Sequence, residues 1–232
     1  MPSVHYGSIH LFRFARIDVF LHWSWFVAAI FEINLGAGRY SSFVWNLVEY
    51  LSVFVIVLLH EFGHALACRQ VGGTANKILL WPLGGMAFVN PPSRPGATLW
   101  SIVAGPLVNV ALLPVLAVLA LLTRSLGWSH SSQDIYALLC TLWFINLSLL
   151  VFNILPIYPL DGGQILRSLL WFFLGPARSL VVATSVGLVG VAGFALLTLS
   201  VHSLWFGALA VFMFTSCWSG LRNAQALSRF AK

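Results

Sequence analysis

His60-Glu61-Phe62-Gly63-His64 is the stretch of this chain best equipped for chemistry. Two histidines four apart share one face of a helix, so both imidazoles can grip a single divalent metal ion. Glu61, directly after the first, is placed to exchange protons with a water at that metal. With the His and Glu content of this chain, chance produces the pattern only about 0.003 times. Every residue from Val53 to Leu59 is apolar, so the motif lies in a segment long enough to cross a bilayer. Sinking a carboxylate and two imidazoles there costs several kcal/mol. Metal coordination offsets that cost, and an incidental pair of core histidines does not.

A catalytic zinc takes three protein ligands and keeps a fourth position for water. The chain has six acidic residues to choose from: Asp18, Glu32, Glu49, Glu61, Asp134 and Asp161. Asp18 and Asp134 fall at span ends, Glu32 and Glu49 fall toward the outer leaflet, and Glu61 points off the ligand face. Asp161 remains. It follows Pro156-Ile157-Tyr158-Pro159-Leu160 and precedes Gly162-Gly163, a run that must unwind a helix. The helix start beyond it favours a carboxylate. A cap ahead of Gln164 is the competing use of Asp161, and it gives no reason for the prolines and glycines. One Zn2+ per chain, held by His60, His64 and Asp161, is the expected cofactor.

The elements that position these residues are membrane spans. The chain is 59% apolar and 8% charged, which excludes an ordinary soluble domain. The expected fold class is an all-α polytopic membrane protein. Its six transmembrane helices would cover Val19–Leu35, Val44–Ala67, Thr98–Leu122, Ile135 to about Asn153, Leu180–Leu199 and Leu204–Leu221. A helical segment from Gln164 to Leu174 precedes the fifth. Lys77–Val89 is apolar but too short to span, and Pro82, Gly84 and Gly85 break it, so it reads as a β-hairpin dipping into the membrane. Ile9–Phe14 alternates apolar and basic residues and reads as a surface strand. Residues 1–232 are expected to form one membrane-embedded domain, with 1–18 an interfacial segment and 222–232 a tail. The first 18 residues show no signal-peptide pattern.

Six spans place Arg39 and Arg124 on one side and the other ten of the 12 Lys and Arg residues on the other. By the positive-inside rule both termini are cytoplasmic. The His60/His64 and Asp161 motifs then reach the same depth, near the cytoplasmic face. The basic residues form no stripe, so the charge of +6 does not indicate nucleic acid. Cys68, Cys140 and Cys217 offer neither a disulfide framework nor a cysteine zinc site. His22, in His22-Trp23-Ser24-Trp25, reads as part of an interfacial aromatic belt.

His60–His64, together with Asn153-Ile154-Leu155-Pro156-Ile157-Tyr158-Pro159-Leu160-Asp161-Gly162-Gly163, resembles the site-2 protease family of intramembrane zinc metalloproteases. The intervening Gly84-Gly85 hairpin and Ala104-Gly105-Pro106-Leu107-Val108-Asn109 fit the same order. The resemblance spans roughly residues 10 to 221. It implies zinc on His60, His64 and Asp161, a catalytic Glu61, and Asn153 as a contact to substrate or oxyanion. It also implies a single-pass membrane-protein substrate, often an anti-sigma factor or membrane-tethered regulator, cleaved in a bacterial inner membrane. Gln164 departs from the arginine often found there, and the PDZ or CBS modules of many members are not expected within these residues. The edge of the hairpin carrying Gly84 and Gly85 is expected to pair with an extended substrate strand. The rival class is a divalent-metal transporter using the same His, His and Asp. It has no use for a glutamate between two ligands, and no internal repeat is evident.

Overall fold

The computed structural model describes residues 7–35, 38–81, 84–127, 133–201 and 204–230. Pro82, expected to break the hairpin, lies outside them, as do the two chain ends. The chain divides into two compact units, Met1–Pro92 with Ala104–Leu150 and Ser93–Val103 with Val151–Lys232.

The first unit begins with β1 (Ser8–Phe14), β2 (Ile17–His22) and α1 (Ser24–Leu35). It continues with α2 (Phe43–Gln70), β3 (Thr74–Trp81) and β4 (Gly84–Asn90). Most of α3 (Pro95–Ser125) and of α4 (Gln133–Ile154) also belongs to it. The four strands form one sheet in chain order. β1 and β3 run antiparallel to their hairpin partners, while β2 and β3 are parallel, with Val19 opposite Ile78. Parallel neighbours need a long crossover, and here α1 and α2 are that crossover. One face of α2 packs on the sheet. Val57, Phe62, Ala65 and Cys68 pack with Ile17, Val19, Ile78 and Leu80 of the strands. Ile56, on another side of α2, packs with Leu116 of α3 and Leu138 and Leu142 of α4. The helix carrying the His/Glu motif is thus fixed from two sides.

The sheet corrects two expectations. Val19–Leu35 is not one helix, because residues to His22 belong to β2 and α1 has 12 residues. At 1.5 Å per residue α1 is about 18 Å long, well short of the roughly 30 Å hydrocarbon core. β2 is an inner strand with Ile17, Val19, Phe20 and Leu21 all buried. Such a strand reads as a continuous apolar run and loses the alternation that would betray it. Nor is the fold purely helical, since the β3–β4 hairpin joins a four-stranded sheet instead of standing alone. Six helices occur among the described residues. Four of them, over Phe43–Gln70, Pro95–Ser125, Gln133–Ile154 and Asp161–Leu196, are long and apolar enough to cross a membrane.

In the second unit α5 (Asp161–Val201) is interrupted at Gly175, whose φ of 75° and ψ of 173° are not helical. The break falls where the sequence separates Leu174 from the following span, just before Pro176. The final helix, α6 (Leu204–Phe230), runs through most of the expected tail. Ile157, Val191, Met213 and Cys217 form this unit's buried cluster.

The start of α2 in the first unit is anchored by charge. Arg39 Nη1 donates to Glu49 Oε1 at 2.7 Å, and Glu49 is buried. Ser41 N donates to Asp134 Oδ1 at 3.0 Å, tying the same loop to α4. Arg39→Ala strands the Glu49 carboxylate and is expected to cost about 1–3 kcal/mol. It should lower the thermal midpoint in detergent more than Arg39→Lys does; equal midpoints would remove this anchor from the account.

Candidate metal centre

His60, Glu61 and His64 lie on the buried side of α2, each 5–6% exposed. The two imidazole rings meet edge to face, with centroids 4.7 Å apart and planes at 84°. Their Nε2 atoms approach to 3.1 Å. Two nitrogens bound to one tetrahedral zinc at about 2.05 Å stand about 3.3 Å apart. The pair therefore has the separation a shared ion demands, although the same approach also suits an imidazole–imidazole hydrogen bond when one nitrogen carries a proton.

α3 reaches this pair through small residues. A methyl group on Gly63 would stand 2.7 Å from the Ala104 carbonyl oxygen, and one on Gly105 would stand 2.2 Å from His64 Nε2 and 2.9 Å from His60 Nε2. Only glycine at both positions permits so close a helix crossing. One turn further along α3, His60 Nδ1 lies 2.5 Å from Asn109 Oδ1. Asn109 Nδ2 in turn donates to Asn146 Oδ1 at 2.7 Å. Both asparagines are almost fully buried.

Glu61 faces the sheet. The backbone N–H of Ala87 on β4 donates to Glu61 Oε2 at 2.7 Å. β4 is an outer strand, so an amide on its open edge holds the carboxylate. Gly85 makes this possible, since a methyl group there would sit 2.2 Å from Glu61 Cγ. Of the two hairpin glycines expected to meet substrate, Gly85 touches Glu61, whereas Gly84 sits at the strand end with φ 141° and open space where a side chain would go. His22, expected in an interfacial belt, accepts from Ser24 N on its Nδ1 at 3.3 Å, at the first turn of α1.

In the second unit Asp161 is buried and opens α5. The turn before it is pinned by Leu160 N donating to Ile157 O at 2.8 Å, and Gln164 N donates to Leu160 O at 3.1 Å. Gln164 Nε2 also donates to Pro159 O at 2.9 Å, which gives the glutamine a structural use. A methyl group on Gly162 would stand 2.0 Å from Ile154 O, and one on Gly163 would stand 2.5 Å from Tyr158 N. The two glycines thus let α5 begin directly against the end of α4. Asn153 is half-buried in the last turn of α4.

His60, His64, Glu61 and Gly85 are therefore gathered in the first unit, while Asp161 and Asn153 belong to the second. Asn146 and the Ala87 amide escape sequence reasoning, and Gly105 enters it only within a motif, without its contact to the imidazoles. Asn146 was findable as a polar residue in an otherwise apolar span; a backbone amide leaves no trace in sequence.

A buried His pair with an adjacent glutamate, on a helix long and apolar enough to cross a membrane, is an arrangement able to hold a metal ion. The profile described as Peptidase family M50 matches residues 49–197. A zinc metalloprotease of Methanocaldococcus jannaschii is 34% identical over 180 residues, covering 78% of this chain and 50% of that protein. The Bacillus subtilis stage IV sporulation protein FB is 35% identical over 120 residues, covering 50% of this chain and 38% of that protein. A solved structure, a site-2 protease from Methanocaldococcus jannaschii, superposes with a TM-score of 0.65 at 27% identity, covering 92% of this chain and 95% of that one. The chain belongs to peptidase family M50. It spans about half the length of the metalloprotease relatives it matches.

Gly105 and Gly85 lie against different side chains, the imidazole pair and Glu61, so substitutions there perturb the two separately. Gly105→Ala should cut the zinc retained by purified protein at least tenfold, because its methyl group claims the space at both Nε2 atoms. Gly85→Ala should leave zinc in place while displacing Glu61. Equal zinc in Gly105→Ala and wild type, measured by mass spectrometry, would contradict the assigned crowding.

Proposed function

We propose that this chain is an intramembrane zinc metalloprotease, hydrolysing a peptide bond within or near the transmembrane segment of a single-pass membrane protein. The observation that carries the reading is the 3.1 Å approach of two buried imidazole nitrogens beside a carboxylate held on an open strand edge. His60 and His64 are two of the zinc ligands. Asp161 is the third. Among the described residues the buried acids are Glu49, Glu61 and Asp161; Glu49 is committed to Arg39 and Glu61 to proton transfer. Two imidazoles and a carboxylate suit zinc and leave a position for water.

Zinc bound there supplies an activated water and polarises the scissile carbonyl. Glu61 accepts a proton from the attacking water and returns it to the leaving amine. Its carboxylate is already oriented by the Ala87 amide. Asn153 donates to the substrate or its oxyanion. A peptide bond within a helix is shielded by its own hydrogen bonds, so the substrate must be extended first. The open edge of β4, carrying Gly84 and Gly85, is the strand it pairs with. The substrate class is an anti-sigma factor or another membrane-tethered regulator in a bacterial inner membrane. α1 and α6 complete six membrane segments, with the bilayer thinned around the short α1, and both termini are cytoplasmic.

Metal analysis and cleavage of a matched substrate test the scheme together. Wild type should hold about one zinc. Glu61→Gln should keep it and lose cleavage by two orders of magnitude or more. Asp161→Ala should lose or weaken it. A zinc-free, well-folded wild type would overturn the reading, and zinc that passes through the chain into vesicles would favour transport instead. For the edge, proline at alternate β4 positions should impair cleavage in one register only; uniform tolerance would remove β4 as the substrate's partner.

A further inference from the structure

We infer that Asn146 and Asn109 form a relay that fixes the tautomer of His60, holding its Nε2 lone pair toward the metal; the inference rests on the zinc reading above. One group in this network has no choice of role. The backbone carbonyl of Asn109 can only accept a hydrogen bond, and it takes one from Asn146 Nδ2 at 2.9 Å. That contact sets the Asn146 amide, so the atom it turns to the Asn109 side chain is Oδ1. An oxygen there needs a donor, and Asn109 presents Nδ2 to it at 2.7 Å. With its nitrogen so engaged, Asn109 turns Oδ1 to His60 Nδ1 at 2.5 Å. An oxygen facing Nδ1 requires Nδ1–H, and a neutral imidazole protonated at Nδ1 has its lone pair at Nε2.

Three links thus carry one fixed carbonyl's demand to a metal-binding nitrogen. Amide and imidazole orientations are ordinarily ambiguous; the backbone oxygen removes the ambiguity here. Burial makes the relay firm. Asn109 is 1% exposed and Asn146 0%, so flipping either amide leaves like groups facing each other without water to relieve them. Gly63 and Gly105 bring α3 near enough for Asn109 to reach His60. Asn109 and Asn146 are positioning residues: they act through His60 and touch no substrate. Outer partners of metal-binding histidines characteristically control affinity by 10–100-fold.

The test uses the full chain in detergent and reads tautomer and affinity separately. In metal-free protein with 15N-labelled histidine, long-range 1H–15N spectra report which nitrogen of His60 bears the proton, the signal being assigned by its loss in His60→Gln. Wild type should show the Nδ1–H form. Asn109→Leu and Asn146→Leu should shift it toward Nε2–H. Asn109→Asp, which still offers an oxygen to Nδ1, should retain it. Zinc affinity, by competition with a chromophoric chelator, should fall about 10–100-fold in Asn109→Leu, less in Asn146→Leu, and stay near wild type in Asn109→Asp. An Nε2–H signal in wild type would overturn the relay even if no variant folds. So would an Asn109→Leu affinity within twofold of wild type. An Nδ1–H signal in a wild type that binds no zinc would leave the relay standing and sink the metal reading.

Discussion

Polar groups buried in an apolar helix set the terms for the rest of this molecule. α2 is sequestered between a sheet and two helices, yet it carries Glu61 and two imidazoles at 5–6% exposure. In such surroundings each polar atom must find a specific partner or incur the cost of desolvation. The neighbouring elements supply those partners. β4 offers the Ala87 amide, α3 offers Asn109, and α4 stands behind with Asn146. Each partner sits on a different element, so satisfying the motif also specifies where those elements must lie.

Glycine controls the distances. Gly63 and Gly105 bring the α2 and α3 backbones together, and Gly85 lets the β4 backbone reach Glu61. In a membrane protein the solvent does not drive helices together, so small residues and buried hydrogen bonds carry much of that association. The same residues that pack the helices therefore shape the centre. A methyl group at Gly105 would meet both imidazole Nε2 atoms, one at Gly85 would meet Glu61, and one at Gly63 would meet the Ala104 carbonyl. In the second unit Gly162 and Gly163 have the equivalent task, letting Asp161 open a helix at once after a turn rich in proline.

The sheet gives the centre its second feature, a backbone edge. β4 is an outer strand whose amide at Ala87 engages Glu61. Its position depends on β3, and β3 depends on the parallel pairing with β2. The N-terminal strands, remote from the His/Glu motif in sequence, thereby help place the Glu61 carboxylate.

The sequence by itself determined which residue types could do chemistry, and much of the helical frame. The spacing of His60 and His64 follows from helix geometry alone, and the length and apolarity of α2, α3 and α4 mark them as bilayer elements without any tertiary information. Gly175 and Pro176 likewise announce the break in α5 locally. The tertiary structure decided what local pattern cannot carry. β2 was hidden because its buried Val19, Phe20 and Leu21 are consecutive apolar residues, which read as the start of a helical span as readily as a strand. Its parallel pairing with β3 joins segments separated by two helices, and no short-range signal records such a partner. Asn146 acquires meaning only when α4 lies against α3, and the Ala87 amide has no side chain to reveal it. Residue types specify which atoms can do chemistry; their orientation depends on neighbours that only folding brings near.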